Sequence, residues 1–548
     1  MRAYITVAFV AALAAAPAIG ATDWSQFQHD SYNSGITGDS GPAGLGSLGQ
    51  AWSANVYDGP GSSYGLKFQP GTSPVVSNGV LYAYALGDFS ADWTCAARLV
   101  ALNAADGSVK WVSAALQDEG GYNSHNGASV DPASGDILVA SWNTLYRISA
   151  ADGSIVWQHV NPGSNGVNAV VNGAPAVGNG KAYWMSQSNG SLTGVDLNAG
   201  TGGAVVPASL NVAMPTDVGG NSYGTPLLFA SGGTTYAVMS WGHGFSVPPL
   251  PMGGGIQVVN ANTGSVLWSM TQAAAPVGST TNDLAAYSFT GSATYADGVI
   301  YARSFDDQLG HTFNATLWAL SATTGEVLWR TWNMSAAPGA FDNAVNGQGA
   351  PIVAGDKVFI GGGTALYGGA GQSVMAFSAT DGRRLWSVGG VGGWGNQIAY
   401  ANGKLFVGSE VDPYSPSTVA RLTVLNADDG SVLGSYVGAG TSPIVVGGVV
   451  YTVDTNGHMV ALATPGDANF DGIVDMKDYI TWFNNFGSTA GVGWSGADFN
   501  ADGIVDMTDY IAWFDNFGQG GGSPGVPEPA GLALLALGGL AMLGRRRR

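Results

Sequence analysis

The chain has 548 residues, enough for several domains, and its formal net charge is −19. Only 10% of its residues are charged. We therefore expect no nucleic-acid partner, because a phosphate backbone is bound mainly by clustered lysines and arginines. The single cysteine, Cys95, excludes an intrachain disulfide, a CxxCH haem site and a cysteine-cluster metal site. The four glutamates leave few candidates for catalysis by paired carboxylates: Glu119, Glu326, Glu410 and Glu528.

The first 20 residues have the pattern of a secretory signal. One arginine precedes a short apolar run, and small residues at Ala18 and Gly20 fit cleavage after Gly20. Polar residues follow at once, which is typical of the start of a mature chain. The sequence therefore predicts an exported protein.

From about residue 100, one motif recurs: an alternating apolar strand, a turn of the Ala-x-Asp/Thr-Gly type, and a second strand that closes on tryptophan. The glycine supplies the positive φ that such a turn requires. The clear copies end at Trp111, Trp157, Trp268, Trp329 and Trp386, and weaker copies lie near Val206 and Gly434.

A second motif, an opening strand that breaks at its own turn, occurs eight times. Its copies begin at Gly71, Ala128, Gly173, Gly224, Gly291, Gly349, Asn396 and Gly440. The sequence thus contains eight opening motifs and seven closing motifs. The segment around Trp52, near the start of the chain, supplies the eighth closing strand. Pairing of that segment with the last strand, which ends near Leu462, would close a ring and remove its open edges. The sequence predicts a mainly β fold, an eight-bladed β-propeller closed by N- and C-terminal strands.

These repeats, together with the opening Trp24…Phe27…Asn33-Ser34-Gly35, resemble the PQQ-like repeat family over residues 22–463. The family includes quinoprotein dehydrogenases and BamB-like scaffolds of outer-membrane assembly. The resemblance implies for an active dehydrogenase a vicinal disulfide, a Ca²⁺ held by Glu and Asn, and an Asp base. The lone Cys95 departs from that pattern, so we expect PQQ not to be a cofactor and assign no catalytic residue. His243 and Trp394 are candidates to line one face of the ring, where an aromatic ring could stack on a sugar.

Near the C-terminus the same acidic stretch occurs twice, and from Asp467 and Asp498 the copies agree at 16 of 21 positions. Oxygen-bearing residues fall at positions 1, 3, 5, 9 and 12 of each loop, glycine at 6 and a backbone carbonyl at 7, which is the spacing that wraps ligands around Ca²⁺. We expect two Ca²⁺ ions, and the predicted ligands are Asp467, Asn469, Asp471, Ile473, Asp475 and Asp478, then Asp498, Asn500, Asp502, Ile504, Asp506 and Asp509.

After each loop, apolar residues recur at helical spacing and are expected to pack the two helices together: Tyr479, Ile480, Phe483 and Phe486, then Tyr510, Ile511, Phe514 and Phe517.

Thr464-Pro465-Gly466 excludes a helix that enters the first loop. Two loop–helix units without entering helices resemble a dockerin domain over residues 465–518. The resemblance implies a small all-α calcium-binding module and a cohesin-like partner, although Met476-Lys477, Met507-Thr508 and the glycine-rich linker 488–497 depart from the usual pattern. Because the ligand aspartates lie outside the propeller, we expect this module to unfold without calcium while the propeller stays folded.

The chain ends with a Gly/Ser/Pro linker, residues 519–525, and a tail, residues 526–548. The tail joins Val526-Pro527-Glu528-Pro529 to a short apolar segment and to Arg545–Arg548, and it resembles the PEP-CTERM sorting signal. That resemblance implies transient anchoring in the inner membrane, processing by an exosortase-type protease, and delivery to the cell surface, outer envelope or extracellular matrix.

The favoured hypothesis is an exported, non-catalytic scaffold whose propeller binds polysaccharide or envelope proteins. The alternative is a polysaccharide-degrading enzyme, a glycoside hydrolase or lyase, of a dockerin-tethered assembly. A PQQ-dependent dehydrogenase is the least favoured of the three.

Overall fold

The computed structural model describes residues 23–57, 65–68, 73–87, 97–116, 127–160, 173–185, 191–198, 210–213, 224–242, 254–272, 289, 291–306, 314–331, 344–345, 349–362, 373–393, 397–409, 419–489 and 491–520. Several predicted features lie outside them: the leader 1–20, the tail 526–548, Cys95, Glu119, Glu410, His243 and Trp394. Among the helices of the described residues, none has the length and apolar character needed to span a bilayer.

The described strands form eight sheets, and most neighbouring strands are antiparallel. Two strands precede the first blade, β1 (Ile36–Thr37) and β2 (Gly49–Ala54). Blade 1 contains β3 (Val56–Tyr57), β4 (Gly65–Phe68), β5 (Val75–Ser77), β6 (Val80–Gly87), β7 (Arg98–Asn103) and β8 (Val109–Val112). Blade 2 contains β9 (Ala128–Val130), β10 (Ile137–Ser141), β11 (Thr144–Ile148) and β12 (Ile155–Val160). Blade 3 contains β13 (Ala176–Gly178), β14 (Lys181–Met185), β15 (Ser191–Asp196) and β16 (Leu210–Ala213).

The remaining blades repeat this order. Blade 4 contains β17 (Leu227–Ser231), β18 (Thr234–Trp241), β19 (Gly254–Asn260) and β20 (Val266–Gln272). Blade 5 contains β21 (Thr294–Ala296), β22 (Val299–Asp306), β23 (Asn314–Ser321), β24 (Val327–Arg330) and β25 (Ala344–Val345). Blade 6 contains β26 (Ile352–Ala354), β27 (Lys357–Gly362), β28 (Ser373–Ser378) and β29 (Arg384–Gly389). Blade 7 contains β30 (Ile398–Ala401), β31 (Lys404–Gly408), β32 (Arg421–Asn426) and β33 (Val432–Val437), and blade 8 contains β34 (Ala439–Val446), β35 (Val449–Asp454) and β36 (Met459–Ala463).

The ring closes where the sequence predicts. β2 pairs antiparallel with β36 as the fourth strand of blade 8, with Trp52 opposite Ala461. The Trp52 indole Nε1 donates to the Ala104 carbonyl of blade 1, 3.0 Å away. The eight-bladed propeller closed between the two ends of the chain is therefore confirmed.

The recurrent glycine and tryptophan belong to one contact that repeats between blades. Trp111 Nε1 donates to the Ala150 carbonyl of the next blade over 2.9 Å, and its ring lies against Gly153, where a Cβ would be 2.5 Å from Trp111 Cε3. Gly153 has φ 75°. The turn therefore needs glycine both for its backbone and for its approach to tryptophan. The same contact recurs at Trp52 and Gly107, Trp268 and Gly325, Trp329 and Gly382, and Trp386 and Gly430.

The segment of residues 23–41, here called the axial segment, winds past the inner strands of all eight blades. Its oxygens accept hydrogen bonds from blades 1, 2, 3, 4, 5, 7 and 8 in order, from the amides of Val76, Val130, Val177, Leu228, Tyr295, Tyr400 and Gly447. At blade 6, Gly35 packs against Ile352. Phe27 packs with Ala174 of blade 3 and Ala350 of blade 6, two blades that are not neighbours in the ring. The side chains of this segment therefore fill part of the ring's centre.

A small helical unit follows the propeller and shares its core. It contains α1 (Met476–Asn485), a 3-10 turn (Trp494–Gly496) and α2 (Met507–Asn516). Val474, Trp482, Trp494, Val505 and Trp513 belong to the same buried cluster as the strands of blade 8. One apolar core therefore continues from blade 8 of the propeller into the helical unit.

Candidate metal centre

The two acidic loops each lead directly into a helix, as the sequence predicts. Asp475 and Asp506 are the N-caps of α1 and α2, and their side chains accept from the amides of Lys477 and Thr508. Asp478 and Asp509 complete the capping boxes by accepting from the N-cap amides. The carboxylates at loop positions 9 and 12 therefore also start the helices.

The first loop is folded around its own carboxylates. Asp467 accepts from the amides of Asp471 and Gly472, at 3.2 and 2.9 Å. Asp478 Oδ1 accepts from the Ala468 amide at 2.9 Å, and its Oδ2 accepts from the Asp475 amide at 2.8 Å. The residues at the first and last predicted ligand positions of this loop are therefore close to each other in the folded chain.

The second loop repeats this arrangement. Asp498 Oδ2 accepts from the Gly503 amide at 3.0 Å, and Asp509 accepts from the amides of Phe499 and Asp506 at 2.8 and 2.9 Å. Phe470 and Ala501, both at position 4, have φ of 59° and 56°, a left-handed conformation uncommon outside glycine. Phe470 and Ala501 adopt the same strained turn although their side chains differ, which indicates that the residues shared by the two loops set this geometry.

Burial of the first loop disfavours the ionised form of its carboxylates. Burial, together with the nearby Asp478 carboxyl, raises the pKa of Asp467 to about 8. Burial also raises the pKa of Asp478 to about 6 and raises that of Asp509. A bound divalent cation would remove this penalty, because an opposite charge favours the ionised carboxylates.

The side chains of the two loops show how well Ca²⁺ would fit them. Asp498 is buried, and its Oδ1 has no hydrogen-bond partner within the described residues. Over the same residues, no group of three or more His, Cys, Asp or Glu side chains is close enough to hold a metal ion. In both loops the carboxylates face backbone amides and the neighbouring asparagine, as in the 2.9 Å contact from Asn500 Nδ2 to Asp502 Oδ2. Several predicted ligand oxygens of each loop therefore accept hydrogen bonds from donors within the loop, and Ca²⁺ binding requires some of them to turn away from these donors.

The two helices pack through residues that the predicted stripe only partly includes. Trp482 lies 5.0 Å from the Tyr510 ring, and Tyr479 lies 5.1 Å from the Trp513 ring. The prediction is wrong for Ile480, Phe483, Ile511 and Phe514, which are exposed. At about 100° per residue, residues 479, 482 and 486 share one face, and 480 and 483 lie on another. The tryptophan three residues after each tyrosine was the signal for the buried face.

Sequence reasoning also missed Trp494, which lies in the glycine-rich linker. Its Nε1 donates to the Asp467 carbonyl at 2.9 Å, and its ring is buried against Phe499. The linker therefore holds the start of the first loop.

Comparisons with known proteins address the propeller. A family model described as outer membrane protein assembly factor BamB matches residues 12–238, 230–369 and 370–469. The chain belongs to this family. Among curated proteins, none matches the chain in sequence.

Solved structures resemble the BamB-family propeller at low identity. A quinohemoprotein alcohol dehydrogenase from Comamonas testosteroni has 15% identity and a TM-score of 0.55, over 80% of each chain. A europium-containing methanol dehydrogenase has 12% identity and a TM-score of 0.55, over 91% of this chain and 97% of its own. A quinohemoprotein alcohol dehydrogenase from Pseudomonas putida HK5 has 14% identity and a TM-score of 0.50, over 81% of this chain and 80% of its own. At these identities the likeness shows the fold alone.

The fold family implies PQQ as a cofactor, so the residues on the propeller axis bear on whether PQQ could bind there. The described part of the axis is occupied by Phe27 and by Gln28, whose Nε2 donates to Gln397 Oε1 at 2.6 Å. These side chains occupy the described part of the axis, and the single Cys95 cannot form the vicinal disulfide that the resemblance implies beside PQQ.

Proposed function

We propose that this protein is an exported, non-catalytic, calcium-dependent scaffold, in which the propeller is a binding platform and the two helices dock a partner. The observation that carries the proposal is the repetition of one loop-and-helix arrangement with buried carboxylates in both copies. We propose calcium binding as the first role of both loops. The spacing of their oxygen-bearing residues and the sharp turn at glycine are those of Ca²⁺ loops. The expected ligands are the twelve predicted residues, with the backbone carbonyl contributing at Ile473 and Ile504.

The partner surface that we propose lies on the exposed sides of α1 and α2. Corresponding residues are exposed on both helices: Ile480 at 54% and Ile511 at 55%, Phe483 at 40% and Phe514 at 45%. Met476 and Met507 extend the same pattern. Aliphatic and aromatic side chains grouped on a polar protein are typical of a protein interface. A cohesin-like domain is the partner that we propose for this surface.

For the propeller we propose polysaccharide or envelope proteins as ligands, and delivery to the cell surface after processing of the tail by an exosortase-type protease. The resemblance to dehydrogenase structures supports a second candidate, a PQQ-dependent oxidoreductase. Neither the described residues nor the comparisons indicate action on polysaccharide.

Calorimetry of the full chain with Ca²⁺ tests the docking proposal first. Two bound ions per chain are expected, and Asp471→Ala with Asp502→Ala should abolish both. Capture of a cohesin-like domain should require Ca²⁺ and should be lost in Ile480→Asp with Ile511→Asp. Val266→Asp on the outer strand of blade 4, which replaces an equally exposed aliphatic residue, is the matched control. Absence of bound calcium would refute the proposal.

Turnover tests separate scaffold from enzyme. Added PQQ with an alcohol should give no dye reduction, and incubation with polysaccharides should release no oligosaccharide. A calcium-dependent dye reduction would select the dehydrogenase instead.

A further inference from the structure

The two acidic loops have the same local fold and different surroundings. At loop position 6, a Cβ on Gly472 would lie 2.8 Å from the Gly41 carbonyl oxygen and 3.4 Å from Gly448 Cα. At the matching Gly503, nothing lies within 4 Å. The first loop is therefore covered by the propeller at this position, and the second is open.

The covering surface comes from the two parts of the chain that meet at blade 8. Gly448, in the turn between β34 and β35, donates its amide to the Phe470 carbonyl at 2.8 Å. A Cβ on Gly448 would lie 2.4 Å from the Gly472 nitrogen and 2.6 Å from Asp467 Oδ2. Gly41, at the end of the axial segment, donates to the Gly447 carbonyl at 3.2 Å. Only residues without side chains allow this approach, so the propeller surface is shaped to the folded form of the first loop.

Further contacts tie this surface to the strand that closes the ring. Trp494, which holds the Asp467 carbonyl, packs on Gly49 at the start of β2, where a Cβ would lie 2.9 Å from the indole. Gly44 donates to Thr464 Oγ1 at 2.8 Å, and Ser47 donates to Asn516 Oδ1 at 2.7 Å. The segment from residue 41 to β2 is thus held between the propeller and the helical unit.

We propose that the first loop is a calcium-controlled clasp for the propeller, and that the second loop is not. Calcium at the first loop would hold Phe470 and Gly472 in the conformation that Gly41 and Gly448 contact, and so stabilise the pairing of β2 with β36. Because binding linkage is reciprocal, the propeller surface in turn strengthens calcium binding at the first loop. This inference rests on the proposed calcium binding and deepens it, since it assigns different roles to two nearly identical sites.

Hydrogen exchange on the full chain, with Ca²⁺ and with EDTA, tests the clasp. Calcium should slow exchange in residues 41–54 and 448–463 by about tenfold or more, and should leave β17 and β18 on the opposite side of the ring unchanged. Asp471→Ala and Asp502→Ala remove the same ligand position from the first and second loops. The protection of the closure should be lost in Asp471→Ala and largely kept in Asp502→Ala.

The reciprocal test changes only the propeller. Gly448 has no positive φ, so Gly448→Ala adds a methyl group against the first loop without backbone strain. By calorimetry it should weaken the binding step that Asp471→Ala removes by about tenfold and leave the other step unchanged. Gly389→Ala is the control, because a Cβ there meets nothing within 4 Å. Two bound ions with no calcium effect on the closure, or equal effects of the two aspartate variants, would overturn the clasp and leave the scaffold proposal standing. No bound calcium would overturn both.

Discussion

Position 11 is the one place where the two loops differ in charge. Lys477 reaches back to Asp471 Oδ2 at 3.3 Å and to Asp475 Oδ2 at 3.7 Å, and these carboxylates raise the pKa of its ammonium group. Thr508 stands at the same position in the second loop and contributes no charge. The lysine therefore neutralises two predicted calcium ligands in the first loop alone.

We predict that Lys477→Thr tightens calcium binding at the first loop, because the cation no longer competes with an ammonium group for the same oxygens. Exposed ion pairs contribute about 0.2–1 kcal/mol, so the gain should be at most about fivefold. Calorimetry at two salt concentrations measures it, and the gain should shrink at high salt. Thr508→Lys should weaken the second loop by a similar factor. An unchanged affinity in both variants would contradict the competition.

The two helices illustrate how short elements depend on their surroundings. Each has ten residues, too few to be stable in isolation, although each has a complete capping box. Their stability comes from the aromatic cluster of Tyr479, Trp482, Tyr510 and Trp513, and from indole hydrogen bonds across the pair. Trp482 donates to the Asp506 carbonyl and Trp513 to the Asp475 carbonyl, at 2.8 and 2.9 Å. Each helix therefore holds the loop of the other.

Adjacent residues of α1 allow this account to be tested. Trp482→Ala should destabilise the helical unit by about 3–5 kcal/mol, because it leaves a cavity and removes the bond to the second loop. Phe483→Ala, one residue on, should change stability by about 1 kcal/mol or less, because its ring is exposed. Hydrogen exchange in residues 476–485 with calcium present measures both. Equal losses would mean that the exposed face is also a packing face.

The axial segment gives the ring a connection that its repeats do not contain. It meets every blade within 19 residues, and its backbone has positive φ at Gln28, His29 and Asn33. Asn33 donates its side-chain amide to the Ala293 carbonyl at 3.0 Å and to the Thr225 carbonyl at 3.3 Å, in blades 5 and 4. Asn33 thus joins two blades by contacts that lie outside the sheets themselves.

We predict that Phe27→Ala destabilises the ring by about 3–5 kcal/mol, because it empties the contact between blades 3 and 6. Tyr32→Ala in the same segment should cost much less, since Tyr32 is partly exposed. Urea unfolding followed by tryptophan fluorescence compares the two variants. The segment would be no more than a surface strand if the two variants had the same unfolding midpoint.

The repeats and the two acidic loops are apparent in the sequence because they are local features. A turn glycine followed four residues later by tryptophan reflects a contact between neighbouring blades that recurs at five places in the described residues, so the motif predicts repeated blades and the closing role of Trp52. The acidic loops that begin at Asp467 and Asp498 likewise depend on a dozen consecutive residues each, and each leads into a helix as the sequence predicts.

Contacts made once, between distant parts of the chain, leave no period to detect. Gly41 and Gly448 resemble any turn glycine in the sequence, and only the folded chain brings both within reach of Gly472. Ile480 and Phe483 are exposed although their spacing is helical, because an apolar residue packs inward only where a neighbour covers it. Trp482 and Trp513 are covered by the partner helix, and the propeller covers one of two nearly identical loops. The different surroundings of the two loops therefore come from tertiary packing, since their sequences are almost the same.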